Sequence, residues 1–474
     1  MAITKPQFPA PQFLVGIGGS GMMPLAMILR ARGHEVAGSD RGLDQGRLAS
    51  KFDSLRAAGI TLFPQDGSGV RAGSRVIASA AVEDTVPDIV AANAMGCERA
   101  TRAQALAELF NAAAVPIAVA GTSGKSTVTG MIAWILQATG QAPTVMNGAV
   151  MKNFASPGAP FASALVGSGD AFVSEVDESD GSIALYRPAI AVLNNVSLDH
   201  KSLDELRDLF GAFVRRAGWV VYNKDDVEAA ALGDRGNDEL FLTFGIREDA
   251  DLRAIGLVEA PFAIRFDLID PDGDRHPISL QVPGRHNVYN ALAAIGAAVV
   301  AGIPVAEAAA AIGGFTGLKR RFELVGEAGG VQVLDDFGHN PDKIAATLAT
   351  LRAFPGRLLI LFQPHGYGPL KVMRDQLIRT FAEGLGPNDL LILPDPVYFG
   401  GTADREVGSA DIVAGVGGIA RHIADRDEAA AFLAAEARPG DRIVIMGARD
   451  DTLSTLAAGI LDAIDPHGGA TLPM

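Results

Sequence analysis

A single cysteine, Cys97, stands in the whole chain, so no disulfide framework can form within it, which fits a reducing compartment. Positive charge is also short. Against 55 Asp and Glu there are 40 Lys and Arg, a net charge of −15. That balance argues against duplex nucleic acid or an anionic membrane surface as a partner, and an anionic substrate needs local basic groups instead. Long apolar runs are missing too. The first residues, MAITKPQFPAPQ, lack the apolar core of a signal peptide. The most apolar region, Ala291 to Phe315, is alanine-rich and interrupted by Pro304 and Glu307, the pattern of packed helices and not of a membrane span. No internal repeat or low-complexity tract stands out. What remains is a cytoplasmic globular protein whose 474 residues predict about three domains at roughly 150 residues each.

The chain is organised around PIAVAGTSGKSTVTGMIAW, Pro116 to Trp134. Ile117 to Ala120 is a short apolar run of strand type. Val128, Met131, Ile132 and Ile135 then recur on one helical face. Between them lies Gly121-Thr122-Ser123-Gly124-Lys125-Ser126. A glycine loop between strand and helix is a phosphate cradle: the backbone can approach, amides point at the anion, and the helix N-terminus adds positive potential. Lys125 supplies a full charge for the outer phosphates and the Ser126 hydroxyl can ligate Mg²⁺. Val119 occupies the position of the first glycine in the longer form of the motif, so this is the shorter GTxGK[ST] form.

Upstream, Phe13 to Val15 reads as a strand, Gly16-Ile17-Gly18-Gly19-Ser20-Gly21 fits G-x-G-x-x-G, Met22 to Arg32 reads as a helix ended by Gly33, and a second strand leads to Ser39-Asp40. This is the dinucleotide fingerprint in context, with an acidic residue about 20 positions on for a ribose hydroxyl; glycines kept for packing alone are the alternative. NAD or FAD would be the first thought, but a second nucleotide loop at Lys125 argues against a simple dehydrogenase. Further on, Arg75 to Ser79 is a strand and Thr101 to Asn111 a helix.

Downstream, Ala171 to Ser174 reads as a strand running into Glu175-Val176-Asp177-Glu178-Ser179-Asp180, whose carboxylates can hold Mg²⁺ or form a solvated acidic turn. Ala189 to Asn194 is another strand, expected to neighbour the Lys125 strand and leading to Asp199-His200. Lys125, Glu175 and His200 then share the carboxyl ends of the strands, where open α/β sheets collect ligands. Residues 251–282 alternate around Asp270-Pro-Asp-Gly273, an antiparallel excursion. Asn287 and Asn290 fall on one face of an alanine-rich helix, able to meet a base edge or, for Asn287, to cap the helix. Lys319-Arg320-Arg321 is a basic cluster or a solvated face. Strands at 357–362, 389–393 and 442–446 alternate with helices as a third α/β unit.

Taken in order, GIGGSGM…GSD, GTSGKST, SEVDESDGS, NNVSLDH, PGRHNVYNA, KRRFE, DDFGHNP and FQPH resemble the Mur ligases, the ATP-dependent amide-forming enzymes of peptidoglycan precursor synthesis, over nearly the whole chain. The resemblance implies an α/β protein of three domains: a Rossmann-like N-terminal domain for the UDP-sugar over 1–113, a central P-loop ATPase-like domain over 114–315, and a C-terminal Rossmann-like domain for the amino acid or peptide over 316–474. It places Gly18, Gly19, Ser20, Gly21 and Met22 at the pyrophosphate, and Ser39, Asp40 and Ser79 with the rest of a UDP-N-acetylmuramate-like sugar nucleotide. Gly121, Thr122, Gly124, Lys125, Ser126 and Thr127 would hold the ATP phosphates, with Ser126, Glu175 and His200 on magnesium, two ions being expected. His286, Asn287 and Asn290 would lie at adenine, and Arg321 and Asp336 would contact ATP from the third domain. Lys125, His200, Arg321 and His339 would be the catalytic set. A monomer or homodimer is implied.

The likeness is to the branches that add L-alanine, or the peptide L-Ala-γ-D-Glu-meso-diaminopimelate, to UDP-N-acetylmuramate. The chain departs from them at Ser123 and Asn340, where they usually carry histidine, and at Gly366-Tyr-Gly, where the alanine-adding branch usually has Arg-[Tyr/Phe]-Thr-Arg. A ligase with another acceptor or amine, and a non-catalytic nucleotide-binding paralogue, are the rival readings; the intact Lys125, Ser126, Glu175, His200 and Asp336 speak against the second.

Overall fold

The computed structural model describes residues 10–47, 49–79, 82–197, 201–234, 240–247, 249–397, 406–448, 450 and 452–465. They form three sheets flanked by helices. Two compact units result. One runs through Glu259 and takes in Ile264–Gln281 and Arg285–Thr316; the other consists of Ala260–Ala263, Val282–Gly284 and the chain from Gly317.

The first unit opens with β1 (Gln12–Val15), β2 (Val36–Ser39), β3 (Thr61–Phe63), β4 (Arg75–Ala78) and β5 (Glu98–Thr101), all parallel in the order β3-β2-β1-β4-β5. All four side chains of β1 are buried, so both faces must be covered by helices. The helix Met22–Ala31 covers one with Met22, Leu25, Ala26, Ile28 and Leu29. It stops one residue before the expected Arg32, which caps it, and Gly33 follows at φ +90°.

The second sheet contains β6 (Val115–Ala120), β7 (Thr144–Met146), β8 (Ala164–Leu165), β9 (Ala171–Glu175), β10 (Ile190–Leu193), β11 (Trp219–Asn223), β12 (Phe241–Gly245), β13 (Leu252–Ala260), β14 (Ala263–Ile269) and β15 (Arg275–Leu280). Its order is β15-β14-β13-β12-β11-β10-β6-β9-β7-β8. β6 lies between β9 and β10 and parallel to both, with Val119 opposite Glu175 and Ala120 opposite Leu193. This register brings three strand ends to one edge, and the site is built there. The expected antiparallel excursion is β14 and β15, joined by a turn in which Gly273 donates to Asp270 O at 3.0 Å.

The first two sheets share one core. Phe110, on the helix Arg102–Asn111, packs edge-on against Phe172 of β9 and against Tyr186, with centroids 5.7 and 5.1 Å apart. Asn111 ties the same helix end down, donating to Leu185 O and accepting from the Arg187 amide at 2.9 and 2.8 Å.

The second unit carries β16 (Glu323–Ala328), β17 (Val331–Asp336), β18 (Leu358–Gln363), β19 (Leu390–Leu393), β20 (Ala420–His422) and β21 (Arg442–Gly447), ordered β16-β17-β21-β18-β19-β20. β16 pairs antiparallel to β17; the other pairings are parallel. Three of these strands sit within a residue of the expected spans. The edge strands β16 and β20 had no apolar run to announce them.

Candidate active site

The loop after β6 is shaped by its glycines. Gly124 caps the helix Lys125–Ala138 at φ +85°, a left-handed conformation, and a Cβ there would lie 2.5 Å from Asn290 Oδ1. Lys125 folds back over the loop: Nζ donates to Gly121 O at 2.8 Å and to both oxygens of Glu178 at 2.8 and 3.1 Å. The ammonium is thus held by a carboxylate it can exchange for a phosphate. Ser126 Oγ donates to Glu175 Oε2 at 2.6 Å across the strand edge. Thr122 is buried, with its hydroxyl between the carbonyl and amide of Ser197, and Thr127 is half-buried in the first turn of the helix.

The acidic segment divides its labour. Glu175 faces Ser126, Glu178 takes Lys125, and Asp180 accepts from the Ser182 amide and lies 4.0 Å from Arg102. Desolvation works against the Asp177 carboxylate, but hydrogen bonds from Ser179 and the nearby Lys125 and Arg102 outweigh it and hold its pKa below the ordinary value. Among the described residues no three His, Cys, Asp or Glu converge as a metal cage. His200 lies outside the described residues, so the expectation that it ligates magnesium falls there. Ser126 and Glu175 are hard oxygen donors suited to Mg²⁺, an ion that takes few protein ligands. Gly148 opens the space beside them: a Cβ there would sit 2.1 Å from Glu175 Oε1. The residues fit the ion.

A chain of asparagines supports the loop from behind, and of its members only Asn287 and Asn290 were expected to be functional. Asn195 accepts from the Ser123 amide at 2.8 Å and returns a bond to Ser123 O at 3.0 Å. Asn194 donates to Ser123 O and to Asn290 Oδ1, and Asn290 donates to Asn287 Oδ1 at 3.0 Å. Asn290 is buried, so its amide positions the loop. Asn287 is buried beside it, whereas His286 is exposed in the first turn of the helix Arg285–Val300. Asn147, which donates to Ser126 O at 2.9 Å, was also missed: after β7 it looked like any loop asparagine.

In the first glycine loop the amides of Gly16 and Ile17 donate to Ser39 O, and Gly18 donates to Asp40 Oδ2 at 2.8 Å. Asp40 Oδ1 accepts from Gly42 at 2.7 Å. Asp40 therefore fastens the loop, and its remaining lone pairs alone are open to a ribose. Ser39 is fully buried and donates to Asp88 at 2.5 Å; burial pushes the Asp88 carboxyl up. Gly19 and Ser20 are exposed and Gly21 half-buried, whereas Met22 points into the core. Ser79, half-buried, follows β4.

In the second unit Arg320 is not the solvated member of a basic cluster. It is buried at φ +60°, donates to Gly447 O and Asp450 O at 2.8 and 2.9 Å, and pairs with the fully buried Asp335 at 3.3 Å. Arg321 lies 4.2 Å over the Phe337 ring. Asp336 accepts from the amides of Phe322 and Gly338 and from Thr347 Oγ1. His339 Nδ1 bonds Phe337 O at 2.9 Å, and its ring meets Phe337 and His365 edge-on at 5.3 and 5.4 Å. Burial, with Lys343, His365 and Arg321 nearby, lowers its pKa to about 3, so the ring is neutral and Nε2 is its open acceptor. Asn340 caps the helix Pro341–Arg352, accepting from the Lys343 amide. That accounts for an asparagine at this position.

Three family models match in succession: the Mur ligase family, catalytic domain over residues 14–114, the Mur ligase middle domain over 119–298, and the Mur ligase, glutamate ligase domain over 320–449. The chain belongs to the Mur ligase family. A UDP-N-acetylmuramate–L-alanine ligase of Streptomyces coelicolor is 36% identical over 479 residues, covering 98% of each chain, and one of Cereibacter sphaeroides is 37% identical over 460 residues, covering 92% of this chain and 93% of its own. Among solved structures, the UDP-N-acetylmuramate–alanine ligase of Thermotoga maritima superposes with a TM-score of 0.79 at 24% identity, over 97% of this chain and 100% of its own. A murein peptide ligase of Psychrobacter arcticus gives 0.72 at 26%, with the same coverage.

Proposed function

We propose that this protein joins L-alanine to the carboxylate of UDP-N-acetylmuramate in peptidoglycan precursor synthesis, converting ATP to ADP and phosphate. Its 36% identity with a ligase of that name over 98% of both chains carries the reading. The phosphate loop supports it, with Lys125, Ser126 and Glu175 at one strand edge.

In this reaction a carboxylate oxygen attacks the γ-phosphorus of ATP, ADP leaves, and an acyl phosphate forms. The alanine nitrogen then attacks the acyl carbon, gives up a proton, and phosphate departs. Lys125, exchanging Glu178 for the phosphate oxygens, holds them in line and offsets charge developing on the transferred group. The loop amides, fixed by Asn194 and Asn195, orient the phosphate chain. Magnesium, held by Ser126 and Glu175, would supply further charge neutralisation on the phosphates. Asp336 holds its own loop in place. The neutral His339 orients a donor through Nε2; a pKa near 3 makes it a poor proton acceptor. The first glycine loop takes the UDP moiety.

Gly366-Tyr-Gly, together with the murein peptide ligase likeness, favours one second reading, addition of a peptide to the same acceptor. Phosphate release is the test, with ATP, Mg²⁺ and UDP-N-acetylmuramate against L-alanine, other amino acids and L-Ala-γ-D-Glu peptides. Turnover with L-alanine is expected. Turnover with a peptide alone replaces the first reading by the second, and turnover with no amine refutes both.

A further inference from the structure

We propose that Glu178 is the receptor for the ammonium group of the amine substrate, a role that rests on the reading of this protein as a ligase forming its acyl phosphate at the Lys125 loop. An ammonium already sits there. Lys125 Nζ lies 2.8 and 3.1 Å from the two oxygens of Glu178 and 2.8 Å from Gly121 O. These three acceptors match the three N–H donors of an ammonium group. Lys125 therefore has to give up acceptors when it turns to phosphate oxygens, and the carboxylate is the one that a phosphate replaces in charge as well as in hydrogen bonding.

Glu178 cannot follow the lysine. Its side chain is 8% exposed, and its turn is fastened on both sides. The Val176 amide donates to Val119 O at 3.0 Å, the Ser179 amide to Asp177 Oδ1 at 2.9 Å and the Ile183 amide to Asp177 O at 3.2 Å. The Gly181 amide closes the turn on Glu178 O at 3.3 Å, with Gly181 at φ +75°. The charged groups nearby offer no replacement. Asp177 and Asp180 carry the same sign, Glu175 is bonded to Ser126, and Arg102 stands 4.0 Å from Asp180. Among the described residues Lys125 is the one cation paired with Glu178.

Departure of Lys125 thus leaves a nearly buried carboxylate without its cation, beside an incoming polyphosphate. An uncompensated buried charge is strongly unfavourable, so the pocket favours a second cation. Magnesium and the ammonium of the amine both enter with the reaction. Ser126 and Glu175 already supply hard oxygen donors for the first. The second is the same chemical group as the one Glu178 holds now. Lys125 is its stand-in, and the site takes the primary ammonium of an amino acid or peptide in preference to an uncharged amine.

The test is steady-state phosphate release by the full-length protein with ATP, Mg²⁺ and UDP-N-acetylmuramate. L-alanine, or an L-Ala-γ-D-Glu peptide if the wild-type protein turns over only that, is compared with hydroxylamine, an amine mostly uncharged at neutral pH. Glu178→Gln keeps the shape and removes the charge. It is expected to raise KM for the charged amine ~10- to 100-fold, the range of a lost charge-assisted hydrogen bond, and KM for hydroxylamine less than about threefold. KM for ATP should not rise. Glu178→Asp, which keeps the charge on a shorter stem, should fall between, and it carries the test if the glutamine variant does not fold. A KM for the charged amine within about twofold of wild type overturns the proposal. So does an equal rise for both amines, which marks local damage, or a raised Mg²⁺ requirement in place of a raised amine KM, which makes Glu178 a metal ligand. Failure of the wild-type protein to turn over any amine refutes the ligase reading itself and the proposal with it.

Discussion

Gly148→Ala tests the proposed Mg²⁺ site without touching a proposed ligand. Gly148 is exposed, and its φ is not in the left-handed region, so alanine brings no backbone strain. The added Cβ would stand 2.1 Å from Glu175 Oε1, where real Cβ contacts do not fall below 3.0 Å. The carboxylate must therefore retreat by about 0.9 Å, several times the ~0.2 Å tolerance of metal–ligand distances. Its hydrogen bond to Ser126, now 2.6 Å, is lost or re-aimed in the process. The moving group is the end of a flexible side chain, so the fold absorbs the change and the cost falls on the ion. Mispositioned metal ligands lose ~10- to 100-fold in affinity. The expected result is an Mg²⁺ requirement for phosphate release raised by that factor, with much of the rate restored at high Mg²⁺ and an unchanged melting temperature. An unaltered Mg²⁺ dependence would refute the assignment of Glu175 as the ligand that Gly148 makes room for.

The second unit yields two further predictions. Arg320→Ala leaves the fully buried Asp335 without its cation, and burial already raises the pKa of that carboxyl; urea unfolding should register a loss of about 3–5 kcal/mol, and a loss below that range by several-fold would return Arg320 to the surface. His339 has a folded-state pKa near 3 against 6.5 for an ordinary histidine. The unfolded chain therefore binds a proton that the folded chain refuses, and stability falls as pH drops from about 6.5 toward 3. His339→Gln should flatten that part of the stability profile; an imidazole titrating near neutrality by NMR would contradict the burial argument.

Much of this was legible in the chain itself. Short apolar runs located β1, β6, β9, β10, β18 and β21 to within a residue or two, because a strand buried on both faces has to be nearly continuously apolar. The two glycine loops and Lys125, Ser126 and Glu175 were equally plain as candidates, since the phosphate binding proposed for them restricts residue type at fixed spacing. The tertiary structure decided the rest. Four acidic residues in six look alike in sequence; only the pairing of β9 with β6 sends Glu175 to Ser126 and Glu178 to Lys125. Three consecutive basic residues look like one solvated patch, yet a left-handed turn buries Arg320 against Asp335 and leaves Arg321 over Phe337. The roles of Asn194, Asn195 and Asn147 were not readable, because an amide can serve any loop until the carbonyl it must satisfy is known. Local chemistry is written in residue order; which charge meets which partner is a property of strand register and packing.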